Sequence, residues 1–178
     1  MSDSTAESTY YAQLARSRGA AGAVQLDAGN RVLMVRPVYK PVWDLPGGVI
    51  EAAESPLDAC VREVHEELGI TPVVERLVGV VWFPPRPRRP PLNLFVFAGR
   101  PSASTLAAIR PAAKEIAEYD FFDLSELPSA EPHTERRVTS CVQGYLNGGT
   151  VYFEEPTKPH WYGDAAPNEY ALPKDDTS

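Results

Sequence analysis

Apolar residues at positions 57, 60, 61, 64 and 68 fall at i, i+3, i+4, i+7 and i+11, the spacing of a single stripe along a helix. The flanks agree with that period. Ser55 is a good N-cap, Pro56 suits the first helical position, and Asp58 completes a capping box with the serine. Gly69 follows as a left-handed cap, with Ile70 placed for the hydrophobic contact beyond it. The pattern predicts a helix over 55–68. Short apolar runs bounded by turn residues predict strands at 20–26 and 31–35, joined by the turn-rich Asp27–Asn30. A short strand within 42–50 leads to a Gly-Gly loop, and further strands are predicted at 73–83, 92–99, 119–123 and 150–153. Residues 10–16 read as a helical turn, 101–116 as loop with helical turns, and 124–127 as a turn. A second helix is predicted over 133–146, where Val138, Cys141, Val142 and Tyr145 keep helical spacing. Strands on both sides of a central helix, with another helix late in the chain, predict an α/β fold: a mixed β-sheet sandwiched between α-helices.

The charged positions of the first helix change the picture. Glu63, Glu66 and Glu67 fall within an arc of about 100°, placed by the stripe on the opposite face. Glu63 and Glu67 are a like-charged i, i+4 pair, which destabilises a helix by a few tenths of a kcal/mol. All three stand in the last two turns, where the helix dipole disfavours anions by roughly 0.3–1 kcal/mol each. Arg62 is the local cation. Such a cluster is either a solvated acidic face or a cation site. A hard divalent ion such as Mg²⁺ takes oxygen ligands of this type and keeps waters and substrate phosphates in its other positions.

Gly48, Glu54, Arg62, Glu63, Val64, Glu66, Glu67, Gly69 and Ile70 fill every specified position of the pattern G-x5-E-x7-R-E-U-x-E-E-x-G-U, where U is bulky and aliphatic. The segment resembles the Nudix box, and the preceding Trp43-Asp-Leu-Pro-Gly-Gly48 is similar to the approach to the box in that family. The resemblance implies the Nudix fold. It also implies hydrolysis of a nucleoside diphosphate linked to another group, with Mg²⁺ or Mn²⁺ as cofactor. Glu63 and Glu67 match the principal metal ligands of the family, and Glu66 matches a ligand of some members. The carbonyl of Gly47 matches a backbone ligand, and Glu54 and Arg62 match a pair that ties the loop to the helix. The general base of several members is a glutamate on a later loop. Glu115 is the first choice here and Glu118 the second, with a surface role for both left open.

Composition narrows the partners. A chain of 178 residues, 43% hydrophobic, is long enough for one domain with a substantial core. It divides into a tail over 1–17, a domain over 18–148 and a carboxy-terminal extension over 149–178. In that extension His160–Tyr162 is expected as a loosely docked tail, with a cover over the site or a homodimer contact left open. The net charge of −7 argues against a nucleic-acid partner. The short run Arg86-Pro-Arg88-Arg89 reads as a solvated loop or a contact to an anionic substrate. The 2 cysteines, Cys60 and Cys141, form no disulfide framework. The polar amino terminus is unlike a signal peptide, and no apolar run approaches the ~20 residues of a membrane span. A cytoplasmic protein with no membrane partner is expected.

The substrate is less legible. Pro85 follows Gly69 at a spacing similar to that of the ADP-ribose pyrophosphatase subgroup, but in a stretch so rich in proline that the spacing does not decide. Trp82 and Phe83 stand before that loop as base-stacking residues or as core, and Arg86 as an anion contact. Three readings stay open. The first is cleavage of a small-molecule diphosphate of the nucleoside type, ADP-ribose-like or a modified nucleoside triphosphate. The others are cleavage of an isoprenyl-type diphosphate, and a Nudix-fold binding or regulatory module.

Overall fold

The structure is a computed structural model that describes residues 10–128, 130–155 and 160–162. Most of the expected amino-terminal tail and most of the chain after Glu155 lie outside the described residues. Among those described, no helix is long and apolar enough to cross a membrane.

Among the described residues the chain runs through β1 (Arg18–Gln25), β2 (Val32–Pro37), β3 (Gly47–Val49), α1 (Pro56–Leu68), β4 (Arg76–Phe83), β5 (Leu92–Gly99), α2 (Ala103–Ala107), β6 (Ile116–Phe122), α3 (Pro132–Leu146), β7 (Thr150–Glu154) and β8 (His160–Tyr162). Six strands form one mixed sheet in the order β3-β1-β5-β4-β7-β8, and β2 and β6 form an antiparallel ribbon. Within the sheet β1 runs parallel to β5 and β4 parallel to β7, while β3, β8 and the β4–β5 pair are antiparallel.

Two apolar cores hold the layers together. One packs Ala21 and Ala23 of β1 against Ala59, Cys60, Val64 and Leu68 of α1. The other packs Val78, Val81, Val96, Val151 and Phe153 against Val138, Cys141 and Val142 of α3. Strand β2 alternates with period two between them, Leu33 and Val35 in the first and Val32 and Met34 in the second. The ribbon thus closes both layers, and the result is a mixed sheet between α1 and α3.

Several expectations shift. The buried stripe of α1 is Ala59, Cys60, Val64 and Leu68 together with Glu67, whereas Leu57 is 43% exposed. Glu67 therefore does not face away from the apolar stripe; it lies within it, because the end of α1 is crossed by β3. The two glycines of the expected Gly-Gly loop are themselves strand β3, paired with Ala21 and Gly22. β4 begins at Arg76 rather than at 73, because the backbone of Val73 is taken by the buried side chain of Gln25. β6 begins at Ile116, three residues before the predicted start, drawn into register by Pro37 and Arg36. Ser102 caps the short helix α2 inside the expected loop. β7 sits inside the main sheet beside β4, past the boundary expected at 148, and His160–Tyr162 adds to its free edge as β8.

Candidate active site

The site forms where the carboxyl end of α1 meets β3. Ser55 accepts the Asp58 N–H and Gly69 closes the helix in the left-handed conformation, so α1 is capped at both ends. The N–H of Gly47 donates to Glu67 Oε2 at 2.9 Å. Close approach is possible because β3 begins with two glycines. A Cβ on Gly48 would lie 2.4 Å from the Glu63 carboxyl carbon, and one on Gly47 would lie 2.2 Å from the Ala21 carbonyl oxygen. Gly47 also has φ of +142°, a conformation that favours glycine.

Arg62 organises the exposed side of this end. Its Nε and Nη2 donate to the two oxygens of Glu54 at 2.8 and 2.9 Å, a bidentate pair. Its Nη1 donates to Glu63 at 2.9 Å and to Glu66 at 3.0 Å, and Nη2 also reaches the Val49 carbonyl. Glu54 in turn accepts the Glu51 N–H, which closes the loop before α1. These donors, Arg62 first, hold the Glu54 carboxyl down at about 2.

Glu67 has the opposite environment. Burial pushes its carboxyl up to about 7. The Gly47 N–H resists that rise, and the charges of Glu63, Glu115 and Asp44 add to it. Glu115 is brought near by the backbone. The N–H groups of Arg110 and Ala112 donate to the carbonyls of Leu68 and Glu67, which the end of α1 leaves without helical partners. The Glu115 carbonyl then accepts the Val38 N–H. Glu118, the second choice for a base, is engaged by Arg36 across the β2–β6 ribbon at 2.8 Å. His65 is exposed on α1.

Beside β3 opens a cavity of about 370 Å³. Gly47 and Gly48 form part of its wall, and Leu45, Phe83, Leu92, Leu94 and Val96 give it an apolar lining. Its polar wall is Lys40, Asp44, Arg89, His133, Thr134 and Arg137. Of the residues expected to meet substrate, Phe83 lines this space, while Trp82 and Arg86 do not. Arg86 pairs with Arg89 in a tight turn that leaves Arg89 at the cavity. Of this polar wall the sequence gives a role only to Arg89, within the Arg86–Arg89 run read as a solvated loop or a contact to an anionic substrate. Asp44 lies within the Trp43–Gly48 approach and Lys40 stands four residues before it, but nothing in α3 singled out Arg137.

The donor set suits a hard divalent cation, since the acidic groups at the end of α1 are carboxylates with one buried member whose ionisation is opposed. The side chains are not arranged as a cage. Among the described residues no three His, Cys, Asp or Glu groups converge so as to hold a metal ion. The reason is visible in Arg62, which draws Glu63 and Glu66 to itself while Glu67 turns to Gly47.

Comparison with known proteins agrees with the fold and the box. The sequence profile of the NUDIX domain matches residues 16–140. An ADP-ribose pyrophosphatase of Methanocaldococcus jannaschii is 32% identical over 126 residues, 69% of this chain and 72% of that protein. A solved UDP-X diphosphatase superposes with a TM-score of 0.67 at 24% identity, covering 86% of this chain and 75% of the other. A MutT protein from Methanosarcina mazei Go1 superposes with a TM-score of 0.60 at 22% identity, over 75% of this chain and 96% of that one. The chain belongs to the Nudix hydrolases, enzymes that cleave phosphorus-containing anhydrides.

Proposed function

We propose that the protein is a Mg²⁺- or Mn²⁺-dependent pyrophosphohydrolase that cleaves the diphosphate linkage of a nucleoside diphosphate derivative. The observation that carries the proposal is Glu67. It is a buried carboxylate raised to about 7 by burial and by neighbouring acids, set against Gly47 at the edge of the cavity. A group in that position gains most from a cation. Glu63, Glu66, Glu67 and the Gly47 carbonyl would hold the ion, with substrate phosphates and waters completing its shell. A divalent ion supplies charge neutralisation for diphosphate oxygens and acidifies water.

The other roles belong to the chain itself. The Gly47 N–H fixes the rotamer of Glu67. Arg62 anchors the loop through Glu54 and holds Glu63 and Glu66 beside it. Glu115 accepts the proton of the attacking water, as a general base with an exposed position close to the acidic cluster. The cavity takes the group attached to the diphosphate.

The test is a panel of ADP-ribose, 8-oxo-dGTP and geranyl diphosphate, with products followed by ³¹P NMR, with and without Mg²⁺ or Mn²⁺. Metal-dependent conversion of a nucleotide is expected. Conversion that does not depend on the metal, or conversion of geranyl diphosphate in preference to both nucleotides, would overturn this reading.

A further inference from the structure

We infer that Arg137 is a specificity-determining residue, which reads a hydrogen-bond acceptor on the nucleoside side of the substrate and disfavours purely hydrocarbon diphosphates. The inference rests on the proposed activity and concerns the far wall of the same cavity.

Asp44 serves as an anchor for this wall. Its Oδ1 accepts the Leu45 N–H at 2.9 Å and Arg137 Nη2 at 2.6 Å, and its Oδ2 accepts Lys40 Nζ at 3.0 Å. Burial alone would raise the Asp44 carboxyl, but the charges of Arg137 and Lys40 outweigh it and bring the carboxyl below its ordinary value. Thr134 adds a second hold on Arg137 Nη2 at 3.3 Å. Arg137 is 5% exposed, so its guanidinium is fixed in place rather than swinging in solvent.

Donors are left over, because among the described residues only Nη2 of this guanidinium is hydrogen-bonded. The Nε of Arg137 is fully buried and has no hydrogen-bond partner among the described residues. A buried N–H on a charged group without an acceptor is costly, and such groups are rare in folded proteins. Because a guanidinium has donors only, the missing partner is an acceptor. Lys40 and Arg89 line the same cavity, so that side of it offers several donors against an apolar lining. A nucleobase or ribose offers carbonyl, ring-nitrogen or hydroxyl acceptors on a body that fits beside Phe83. An isoprenyl chain would fill the apolar part but offer no acceptor to the donors of Arg137 that Asp44 and Thr134 leave unused.

The experiment compares kcat/KM for ADP-ribose and geranyl diphosphate in the wild type, Arg137→Met and Arg137→Lys. Arg137→Lys keeps a cation for Asp44 while losing Nε and the planar fork, so it separates donor reading from folding; thermal melts check that each variant is folded. The wild type is expected to prefer ADP-ribose by at least ~100-fold. Both variants should narrow that ratio by ~10-fold or more, chiefly through KM for ADP-ribose, with kcat within ~3-fold. An unchanged ratio in folded variants overturns the inference. A second measurement is independent of turnover: calorimetric titration of the metal-free protein with AMP and with ribose 5-phosphate. AMP should bind the wild type at least ~10-fold more tightly than Arg137→Lys. The contrast between AMP and ribose 5-phosphate places the acceptor on the base or the sugar. Equal AMP affinities, or no AMP binding by the wild type, overturn the inference even if the hydrolytic activity stands.

Discussion

Glu67 and Gly47 are joined by a hydrogen bond in which the glycine N–H donates to a carboxylate that burial keeps reluctant to ionise. A glutamine at 67 would keep an oxygen for that N–H and remove the charge. In metal-free buffer Glu67→Gln should therefore stabilise the protein. The carboxyl has an ordinary value of 4.5 and a folded value of about 7. Below 4.5 both states are protonated and the wild type carries no penalty. As pH rises to about 7 the unfolded chain ionises first, and stability is lost relative to the variant. The advantage should be on the order of 1–3 kcal/mol at pH 8, several degrees in Tm, and absent near pH 4. Turnover should fall at least ~100-fold, since charge is lost where the transition state needs it held. Melting curves in EDTA across that pH range, beside steady-state rates in Mg²⁺, check both halves.

The neighbouring glycines separate folding from ligand binding. Alanine at Gly47 would meet backbone, the Ala21 carbonyl, in a conformation that resists a side chain. Gly47→Ala should unfold or strongly destabilise the protein. Alanine at Gly48 would meet the flexible end of Glu63 instead. Gly48→Ala should fold, displace that carboxylate and raise the Mg²⁺ concentration for half-maximal activity by ~10-fold or more. Circular dichroism and a Mg²⁺ titration of the rate distinguish the two outcomes.

How much of this was legible in the chain depends on the range of the interaction. Helix α1 was readable to within a residue because its period, Ser55, Pro56 and Gly69 are all local signals. The strand at Leu92–Gly99 was equally plain, as a run bounded by a proline loop and a glycine. The burial of Glu67 was not readable, because it depends on β3 crossing the helix end from twenty positions upstream in the chain. Nor was the place of β7, since parallel pairing with β4 leaves no mark in a short apolar run. The polar cavity wall is the extreme case. Asp44 and Arg137 meet at 2.6 Å across 93 positions, and neither residue type predicts the other.

Glu115 tests a position set by backbone alone. The segment from Arg110 to Glu115 is laid on the end of α1 by bonds to the carbonyls of Leu68 and Glu67, so replacing the Glu115 side chain leaves that scaffold intact. Glu115→Gln should keep its Tm within a degree or two and lose ~100-fold or more in kcat, with little change in KM. Glu118→Gln breaks only the exposed pair with Arg36 and should keep nearly full activity. If the two variants exchange these phenotypes, the proton is taken by Glu118 and the assignment to Glu115 is wrong.

Phe83 and Trp82 are adjacent, and successive residues of a strand point to opposite faces. Phe83 lines the cavity and packs on the α3 side of the sheet, whereas Trp82 does not line it. Removing each ring should therefore separate binding from stability. Phe83→Ala takes away apolar surface that a bound base or sugar would cover, and should raise KM for the nucleotide substrate by ~10-fold while kcat stays within a few-fold. Some stability will be lost as well, on the order of 2–4 kcal/mol, because the ring is half-buried against the core. Trp82→Ala should lower Tm and leave KM unchanged. Steady-state kinetics paired with melting curves on the two variants decide the matter, and a rise in KM on removing Trp82 with none on removing Phe83 would place the substrate on the wrong face of the sheet.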